Sequence, residues 1–413
     1  MTDCGCDSHQ STLKPFDEAL DFLLSRARTQ TETERLPLAQ ALGRALAEPV
    51  RSRVDVPPWD NSAMDGYAVN LKSLKEEGAL RVAQRIPAGT AGTDLEPGTA
   101  ARIFTGAPIP PGADAVVMQE LCEVEGDRVR IAELPAPGAN IRRAGEDILQ
   151  GEEVLPRGIR LQPQHLGLAA SVGLAEVTIY RRLKVAIFSS GDELVMPGEA
   201  LGPGQIYNSN TFTLGGLVER LGCDVIQLGM VEDTLQATCD ALSRGAAEAD
   251  LIIASGGVSV GEEDHVKPAV ERLGSLDLWK VAIRPGKPLA FGQVAETPFL
   301  GAPGNPVSLF ATFTLFMRPF ILRMQGVEKG LLQTPYRAIA AFEKAADDKR
   351  REYARGRLEI DEQGRAVVRL YPNRSSGVLS SVAWANGFAV LPAMTAIAPG
   401  DTIDFIPFSE LMA

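Results

Sequence analysis

The sequence is poor in the residues that build disulfide frameworks and histidine-based metal centres. Its 413 residues include five cysteines, an odd number, and only three histidines, at positions 9, 165 and 265. Those counts exclude a disulfide-held secreted fold and a histidine-rich metal site. Cys4 and Cys6 stand near His9, but no second ligand pair follows, so we interpret 1–12 as a disordered tail rather than a metal site.

Long apolar runs, a positive charge balance and common nucleotide motifs are also missing. No run approaches the ~18 apolar residues that span a bilayer, and the polar start MTDCGCDSHQ is unlike a signal peptide. A net charge of −12 argues against a broad nucleic-acid surface. There is no GxxxxGK[ST] loop and no GxSxG elbow, which disfavours NTPase and Ser-His-Asp chemistry. We expect a cytoplasmic protein without nucleic-acid or membrane partners.

What is present indicates a globular chain of roughly three domains. Apolar residues make up 45% of the sequence, enough to bury a core. Helical spacing from Phe16 to Ala27 predicts one helix over about 15–29. Residues 50–180 have short apolar runs with many glycines and prolines, typical of a β-rich, turn-rich region. Alternation in 332–413 predicts a small β domain, a partly closed barrel.

From about 181, strands alternate with helices. We predict a helix capped by Asn210, helices over 234–248 and 265–273, and one from Asn305-Pro306 to about 325, with strands at 183–188, 224–231, 251–254, 276–283, 288–294 and 298–302. This alternation implies a mostly parallel sheet covered on both faces. Ligands of such sheets bind at the carboxyl ends of the strands. The segments that follow these strands, SSGDE, VED, SGGVSVGEED and APGNP, are therefore predicted to converge on one edge.

The stretch 251–267, LIIASGGVSVGEEDHVK, is the most informative single segment. A buried strand ends at a glycine turn and a helix begins near Asp264, an arrangement that directs backbone N–H groups at an oxyanion. Carboxylates beside a phosphate favour an intervening divalent cation. The segment alone fits equally well a glycine turn followed by a solvated acidic helix start.

Carboxylates and cations recur at the predicted sheet edge. Glu193, Asp233 and Asp264 each follow a strand, a pattern that suits magnesium, although any one of them alone fits a surface or capping role. Alternation along 278–284 would place Lys280 and Arg284 on one face, where they could hold a tetrahedral oxyanion. The competing interpretation of that face is a solvated strand.

Seven segments in order resemble one family. These are DNSAMDGYAV (60–69), TGAPIPPGADAVV (105–117), NIRRAGED (140–147), FSSGDEL (188–194), GGVSVGEED (256–264), RPGKP (284–288) and PGNPVS (303–308). Together they resemble the MoeA family of molybdopterin molybdenumtransferases, to which the C-terminal domain of gephyrin is similar. The resemblance extends from about 13 to 413.

The resemblance implies a fold and a reaction. The fold is a multidomain α/β one, with a MogA-like doubly wound mostly parallel sheet domain, β-rich N-terminal domains and a small C-terminal β-barrel domain. The implied division is domain I at 30–50 and 152–180, domain II at 51–151, domain III at 13–29 and 181–331, and domain IV at 332–413. Adenylylated molybdopterin and molybdate would be converted to molybdenum cofactor and AMP, assisted by Mg²⁺, in an elongated homodimer.

The resemblance also implies site residues. The catalytic acids would be Asp65, Asp147, Glu193, Asp233 and Asp264, of which Glu193, Asp233 and Asp264 would hold the metal, and the dimer would place Asp65 and Asp147 opposite the sheet edge of the other subunit. The substrate-binding residues would be Thr105, Ser190, Gly256, Gly257, Ser259, Lys280, Arg284, Lys287, Pro303, Pro306, Arg350, Arg355 and Ser376.

The sequence is also compatible with two other functions. A molybdopterin adenylyltransferase shares the GGVSVGEED loop and would consume ATP with molybdopterin. A non-catalytic molybdopterin-binding scaffold would bind without turnover. Contacts with a molybdopterin adenylyltransferase and with recipient molybdoenzymes are further implied partners.

Overall fold

The computed structural model describes residues 13–257 and 265–412, and only the backbone of Leu278 and Trp279. The predictions for the tail 1–12, for Ser259 and for Asp264 lie outside the described residues.

A six-stranded sheet forms the centre of the region that follows Arg181. We label its strands β1 (Lys184–Ser190), β2 (Asp224–Val231), β3 (Leu251–Ser255), β4 (Gly274–Lys280), β5 (Pro288–Val294) and β6 (Thr297–Ala302). The order across the sheet is β2-β1-β3-β6-β5-β4. The first three neighbouring pairs are parallel and the last two are antiparallel. The predicted doubly wound, mostly parallel sheet is therefore confirmed.

Helices cover both faces of this sheet because its strands are apolar on both sides. On one face lie α1 (Phe16–Arg26) and α2 (Asn210–Arg220) with a long C-terminal helix, and on the other lie α3 (Leu235–Glu248) and α4 (Val266–Leu273). Neighbouring residues of β3 divide between the two cores: Ile253 packs in the first and Ile252 in the second. This alternation fixes the register of the sheet, since a slip of one residue would exchange the two faces.

The long helix, α5, runs through three consecutive segments, Pro306–Thr312, the π-helical Phe313–Met317 and Arg318–Met324. By length and composition Pro306–Met324 could cross a membrane, but 94% of its most apolar stretch is buried inside the protein. It is the central helix of a core that contains Phe313, Phe316 and Phe320.

The N-terminal half is mostly β-structure. A six-stranded sheet has the order Ala115–Met118, Gly66–Val69, Thr99–Ile103, Ala79–Ile86, Arg128–Ile131, Cys122–Glu125. Two-stranded pairs join Thr33–Pro37 to Glu176–Tyr180, Val50–Arg51 to Glu153–Leu155, and Asn61–Ser62 to Ile141–Arg142. Short helices are Leu38–Gln40, Leu71–Glu77, Gln119–Leu121 and Pro163–Ser171. The β-rich character predicted for 50–180 is observed.

A closed five-stranded barrel forms the C-terminal region, as predicted. Its strands are β7 (Tyr336–Ala340), β8 (Arg351–Ile360), β9 (Ala366–Leu370), β10 (Gly387–Leu391) and β11 (Thr402–Pro407), followed by the short helix Phe408–Leu411; another, Ser380–Trp384, precedes β10. The ring closes because β8 pairs with both β9 and β10, β11 pairs with β10 and β7, and β7 pairs with β9. Closure removes the exposed edges that an open sheet would leave.

The strand predicted over 276–283 is interrupted. It begins at Gly274 and ends at Lys280, whereas Ile283–Arg284 pairs in parallel with the start of β8 in the barrel. The N–H of Ala282 donates to the carbonyl of Lys14, so the chain changes sheets here. Lys280 and Arg284 therefore belong to different sheets, and one strand does not present them on one face.

Candidate functional site

A cleft of about 1080 Å³ lies at the carboxyl ends of the parallel strands, between the central sheet and the barrel. Loops that follow β1, β2, β3 and β6 all contribute to it, as expected when parallel strands end at one edge. Predicted residues that line the cleft are Ser190, Glu193, Asp233, Gly256, Gly257, Arg284, Lys287, Pro303, Pro306, Arg350 and Ser376.

One end of the cleft is acidic. Glu193 follows β1 and is exposed, and Asp233 follows β2 and is half-buried. The Ser190 hydroxyl donates to the Asp233 carboxylate at 3.3 Å, which joins the ends of the two neighbouring strands. Within the described residues no group of three acidic, histidine or cysteine side chains could hold a metal. Two carboxylates beside open space do suit Mg²⁺, which commonly takes one or two protein carboxylates plus substrate oxygens and water.

The glycine turn after β3 is packed tightly against β1. Gly256 has φ +86°, and a Cβ there would lie 2.6 Å from the carbonyl oxygen of Ser190. Its N–H donates to the Ala302 carbonyl at 3.1 Å, so this N–H is not free to meet an anion as the sequence predicted. The Asn210 amide donates to the Ser255 hydroxyl (2.9 Å) and to the Gly304 carbonyl (2.7 Å), which holds the turn against the next loop.

The start of α5 borders the same cleft. Asn305 occupies the N-cap position, but its side chain makes no capping hydrogen bond. Pro306 has no N–H to cap, and the N–H of Val307 donates to the Ser376 carbonyl at 3.1 Å. The loop that carries Ser376 therefore docks on the first turn of α5 and narrows the cleft.

The other end of the cleft is cationic. Arg284, Lys287, Arg350 and Arg374 line it, together with the turn Pro285–Gly286. Asp348 accepts hydrogen bonds from Arg284 (3.3 Å) and from Arg350 at Nε and a terminal nitrogen (3.1 Å each). Hydrogen bonds from Arg350 hold the pKa of Asp348 down at about 2, with Arg284 adding to the effect, so this side chain is a carboxylate at neutral pH.

Two predicted cations do not line the cleft. Lys280 is half-buried at the end of β4 and pairs there with Pro288, which lines the cleft although Lys280 itself does not. Arg355 is only 2% exposed, and its guanidinium donates to the Ser381 hydroxyl and to the carbonyls of Asn373 and Ser375. Its neighbours make Arg355 a support for the loop 373–377, because the guanidinium is buried beneath that loop.

The predicted residues of the β-rich half form a separate group. The Thr105 N–H and hydroxyl both donate to the Asp65 carboxylate at 2.8 Å, and these bonds lower the pKa of Asp65. Asp147 is exposed. None of Asp65, Thr105 and Asp147 lines the cleft of the described chain.

The sequence analysis did not predict Arg374, which lines the cleft, or Asp348 and Glu352, the carboxylates that bind the lining arginines. Glu352 is fully buried and receives the guanidinium of Arg374, whose Nε lies 2.8 Å from a carboxylate oxygen. The only sequence signal was the density of charge in DDKRREYARGR (347–357) and NRSSG (373–377). Such density is more often a solvated surface, and only the barrel fold shows that both segments face the cleft.

Three family models match the chain in succession. They are described as the MoeA N-terminal region (domain I and II) over 14–173, a probable molybdopterin binding domain over 186–323, and the MoeA C-terminal region (domain IV) over 337–408. The chain is 42% identical over 399 residues to a molybdopterin molybdenumtransferase of Haemophilus influenzae, covering 96% of this chain and 99% of the relative. It is 40% identical to the protein of the same name from Nostoc, covering 90% and 87%.

A solved structure of the same type superposes on the whole chain. The molybdopterin biosynthesis MoeA protein from Pyrococcus horikoshii has a TM-score of 0.81 and 30% identity, and the match covers 95% of this chain and 99% of that one. The order of motifs, the sheet edge and the closed barrel agree with these full-length matches. The chain belongs to the MoeA family of molybdopterin molybdenumtransferases.

Proposed function

We propose that this transferase of molybdenum cofactor biosynthesis inserts molybdate into adenylylated molybdopterin and releases AMP. The observation that carries the proposal is the division of one cleft into an acidic end at Glu193 and Asp233 and a cationic end at Arg284, Lys287 and Arg350. Each end suits one of the two substrates. The phosphoanhydride of adenylylated molybdopterin needs a cation, which carboxylates can hold, and molybdate is an oxyanion, which arginine and lysine can bind.

At the acidic end, Glu193 and Asp233 would hold Mg²⁺ beside the substrate pyrophosphate. Both carboxylates follow neighbouring parallel strands, and Ser190 fixes Asp233 by hydrogen bonding. When bound, Mg²⁺ supplies charge stabilisation as the phosphoanhydride breaks. Asp264, which follows β3 in the sequence, is the third carboxylate that we propose to hold the metal.

At the cationic end, the proposed ligand is molybdate. Arg284 and Arg350 offer planar forks that suit an oxyanion, and Lys287 adds an exposed point charge. The dithiolene sulfurs of the pterin are the incoming ligands of molybdenum, so the chain needs no cysteine here. Of its described cysteines, Cys223 and Cys239 are buried and Cys122 is half-buried, and none lines the cleft.

The proposed active unit is a homodimer. Asp65, with Thr105, and Asp147 are outside the cleft of their own chain, and in the proposed dimer they approach the cleft of a second subunit. The hydrogen bonds from Thr105 keep Asp65 ionised and oriented. These acids would then act on the substrate from the side opposite the sheet edge.

The proposal is tested by supplying adenylylated molybdopterin and Mg²⁺ to the purified protein, with and without micromolar molybdate, and measuring AMP. AMP release that requires molybdate is the expected result. Release that is independent of molybdate would remove the insertion step. ATP consumption with molybdopterin, without AMP release from the adenylylated substrate, would assign the adenylylation step instead.

A further inference from the structure

Two carboxylates, the half-buried Asp348 and the buried Glu352, organise the cationic end of the cleft. Asp348 keeps 13% of its side chain exposed and bonds Arg284 and Arg350, which keep 40% and 31%. The guanidiniums thus reach solvent in the cleft while their shared carboxylate lies behind them. A side chain that is already held in place loses less conformational entropy when it binds a ligand.

Glu352 and Arg374 form a second pair in which a carboxylate lies behind an arginine that reaches the cleft. Glu352 is 0% exposed and lies in β8, where its backbone is in register with Arg284 of the adjoining strand. Two nitrogens of the Arg374 guanidinium donate to the two oxygens of Glu352. Arg374 keeps 31% of its side chain exposed and lines the cleft. A buried carboxylate needs a partner of this kind, because an uncompensated buried charge is strongly destabilising.

The backbone on both sides of Arg374 is fixed as well. The buried Arg355 donates to the carbonyl of Asn373 and to that of Ser375, at 3.1 Å each. Both the backbone and the guanidinium of Arg374 are therefore held, by two different residues of β8. Glu352 occupies the Nε edge of the guanidinium, so the pre-organised fork that Arg374 offers beside Ser376 is its remaining terminal N–H groups.

The charges of this wall suit a doubly charged ligand. The lining cations are Arg284, Lys287, Arg350 and Arg374, and the carboxylates that contact them are Asp348 and Glu352. The formal surplus is two positive charges. Burial lowers the pKa of Arg374, and repulsion by the charge of Arg284 lowers it further. A dianion in the cleft would relieve that repulsion.

We propose that Arg374 is a further oxyanion-binding residue of this enzyme and that Glu352 is its positioning residue. The inference rests on the proposed function, because the oxyanion is taken to be molybdate. It adds a guanidinium fork to the ligand set that the sequence motifs supply. It also gives Glu352 a role that acts only through Arg374.

The test compares Arg374→Gln, Glu352→Gln and the double variant in the molybdate-dependent release of AMP. Loss of a charge-assisted hydrogen bond to the ligand is expected to raise the KM for molybdate about 10- to 100-fold, with the KM for the adenylylated pterin unchanged. Glu352→Gln should raise the same KM. The double variant should match Arg374→Gln alone, since a positioning residue has no effect once its partner is gone. Independent, multiplying effects would overturn the positioning role.

A matched control is Arg369→Gln, which removes an exposed arginine of β9 that pairs with Glu359. It should leave both KM values unchanged. If Glu352→Gln does not fold, Arg374→Lys keeps the charge but loses the fork, and its KM for molybdate should lie between those of the wild type and Arg374→Gln.

Equilibrium dialysis of molybdate against the wild type and Arg374→Gln, without pterin, gives a second readout in which weaker binding by the variant is expected. An active wild type with an unchanged molybdate KM and unchanged binding in Arg374→Gln would overturn this inference alone. A wild type whose AMP release ignores molybdate would instead overturn the proposed function.

Discussion

At the residue scale, the cleft depends on carboxylates that are kept charged by arginine. The pKa of Asp348 is about 2 in the folded chain because Arg350 donates to it, against an ordinary value of 3.8. A lowered folded pKa contributes stability above the unfolded pKa, and this contribution is lost as pH falls from about 4 to 2. The same charge also keeps Arg284 and Arg350 oriented for a ligand.

Asp348→Asn should therefore lower the free energy of unfolding at pH 7 by on the order of 1 kcal/mol. The difference from the wild type should shrink below about pH 4, because the Asp348 carboxyl of the unfolded wild type then binds a proton and ionisation in the folded state contributes less stability. Urea unfolding at pH 7 and at pH 3 measures this. Asp404→Asn, which breaks an exposed pair with Arg337, should have a smaller effect at pH 7. An equal difference for Asp348→Asn at both pH values would contradict the assignment.

The residue-scale predictions from sequence were strongest where a motif follows a strand. Glu193, Asp233, Pro303 and Pro306 line one cleft because parallel strands end together. Glu352 and Arg374 were not predicted, because they are 22 residues apart and no local sequence pattern indicates their pairing. Lys280 and Arg284 lie in different sheets because the chain changes sheets between them, which alternation along one strand could not predict.

At the element scale, the turn after β3 is constrained twice. Gly256 has a positive φ, and it also has no room for a Cβ beside the Ser190 carbonyl. Gly222 has φ +79° with nothing within 4 Å of its would-be Cβ. Substitution of Gly222 therefore measures backbone strain alone, whereas substitution of Gly256 adds a steric clash of the new Cβ with β1.

Gly256→Ala should lower thermal stability more than Gly222→Ala and should reduce AMP release, because the turn must move away from β1. Gly222→Ala should cost only about 1 kcal/mol, the usual strain of a left-handed alanine, and should leave turnover unchanged. Differential scanning calorimetry and the AMP assay check the pair. Equal melting temperatures and full activity in both variants would show that the tight contact is unimportant.

Helices and strands of the sheet region were predicted well because each has a clear period. The predicted strand 224–231 is observed at Asp224–Val231, and the helix predicted to be capped by Asn210 is Asn210–Arg220, with Ser209 at the N-cap position. Capping was predicted less well: Asn305 takes the N-cap position without capping, because Ser376 from the barrel side accepts the next N–H. A contact between segments that are far apart in the chain leaves no recognisable pattern in the local sequence.

At the scale of the whole molecule, the MoeA fold assignment accounts for the order of the three regions along the chain. The boundaries of domains I to IV stay a prediction, as do the homodimer and the cytoplasmic location. The dimer has a direct consequence for activity, because it assigns Asp65 and Glu193 of each active site to different subunits.

Asp65→Asn and Glu193→Gln should each lose most activity while remaining folded. When the two inactive variants are mixed and their subunits exchange, half of the dimers become mixed, and each mixed dimer has one intact site. Activity should then recover to about one quarter of the wild-type rate. Mixing Glu193→Gln with Asp233→Asn serves as the control, since both changes lie on the same side and should give no recovery. Recovery in neither mixture would place all the acids within one subunit.

In the proposed mechanism, the acidic end of the cleft binds Mg²⁺ and the cationic end binds molybdate. One kinetic comparison tests this division. AMP release is measured for the wild type, Glu193→Gln and Lys287→Gln while Mg²⁺ and molybdate are varied independently. We expect Glu193→Gln to raise the Mg²⁺ requirement with little change in the KM for molybdate. We expect Lys287→Gln to raise the KM for molybdate with little change in the Mg²⁺ requirement. Both variants shifting both requirements alike, or neither shifting either, would contradict the division of the cleft.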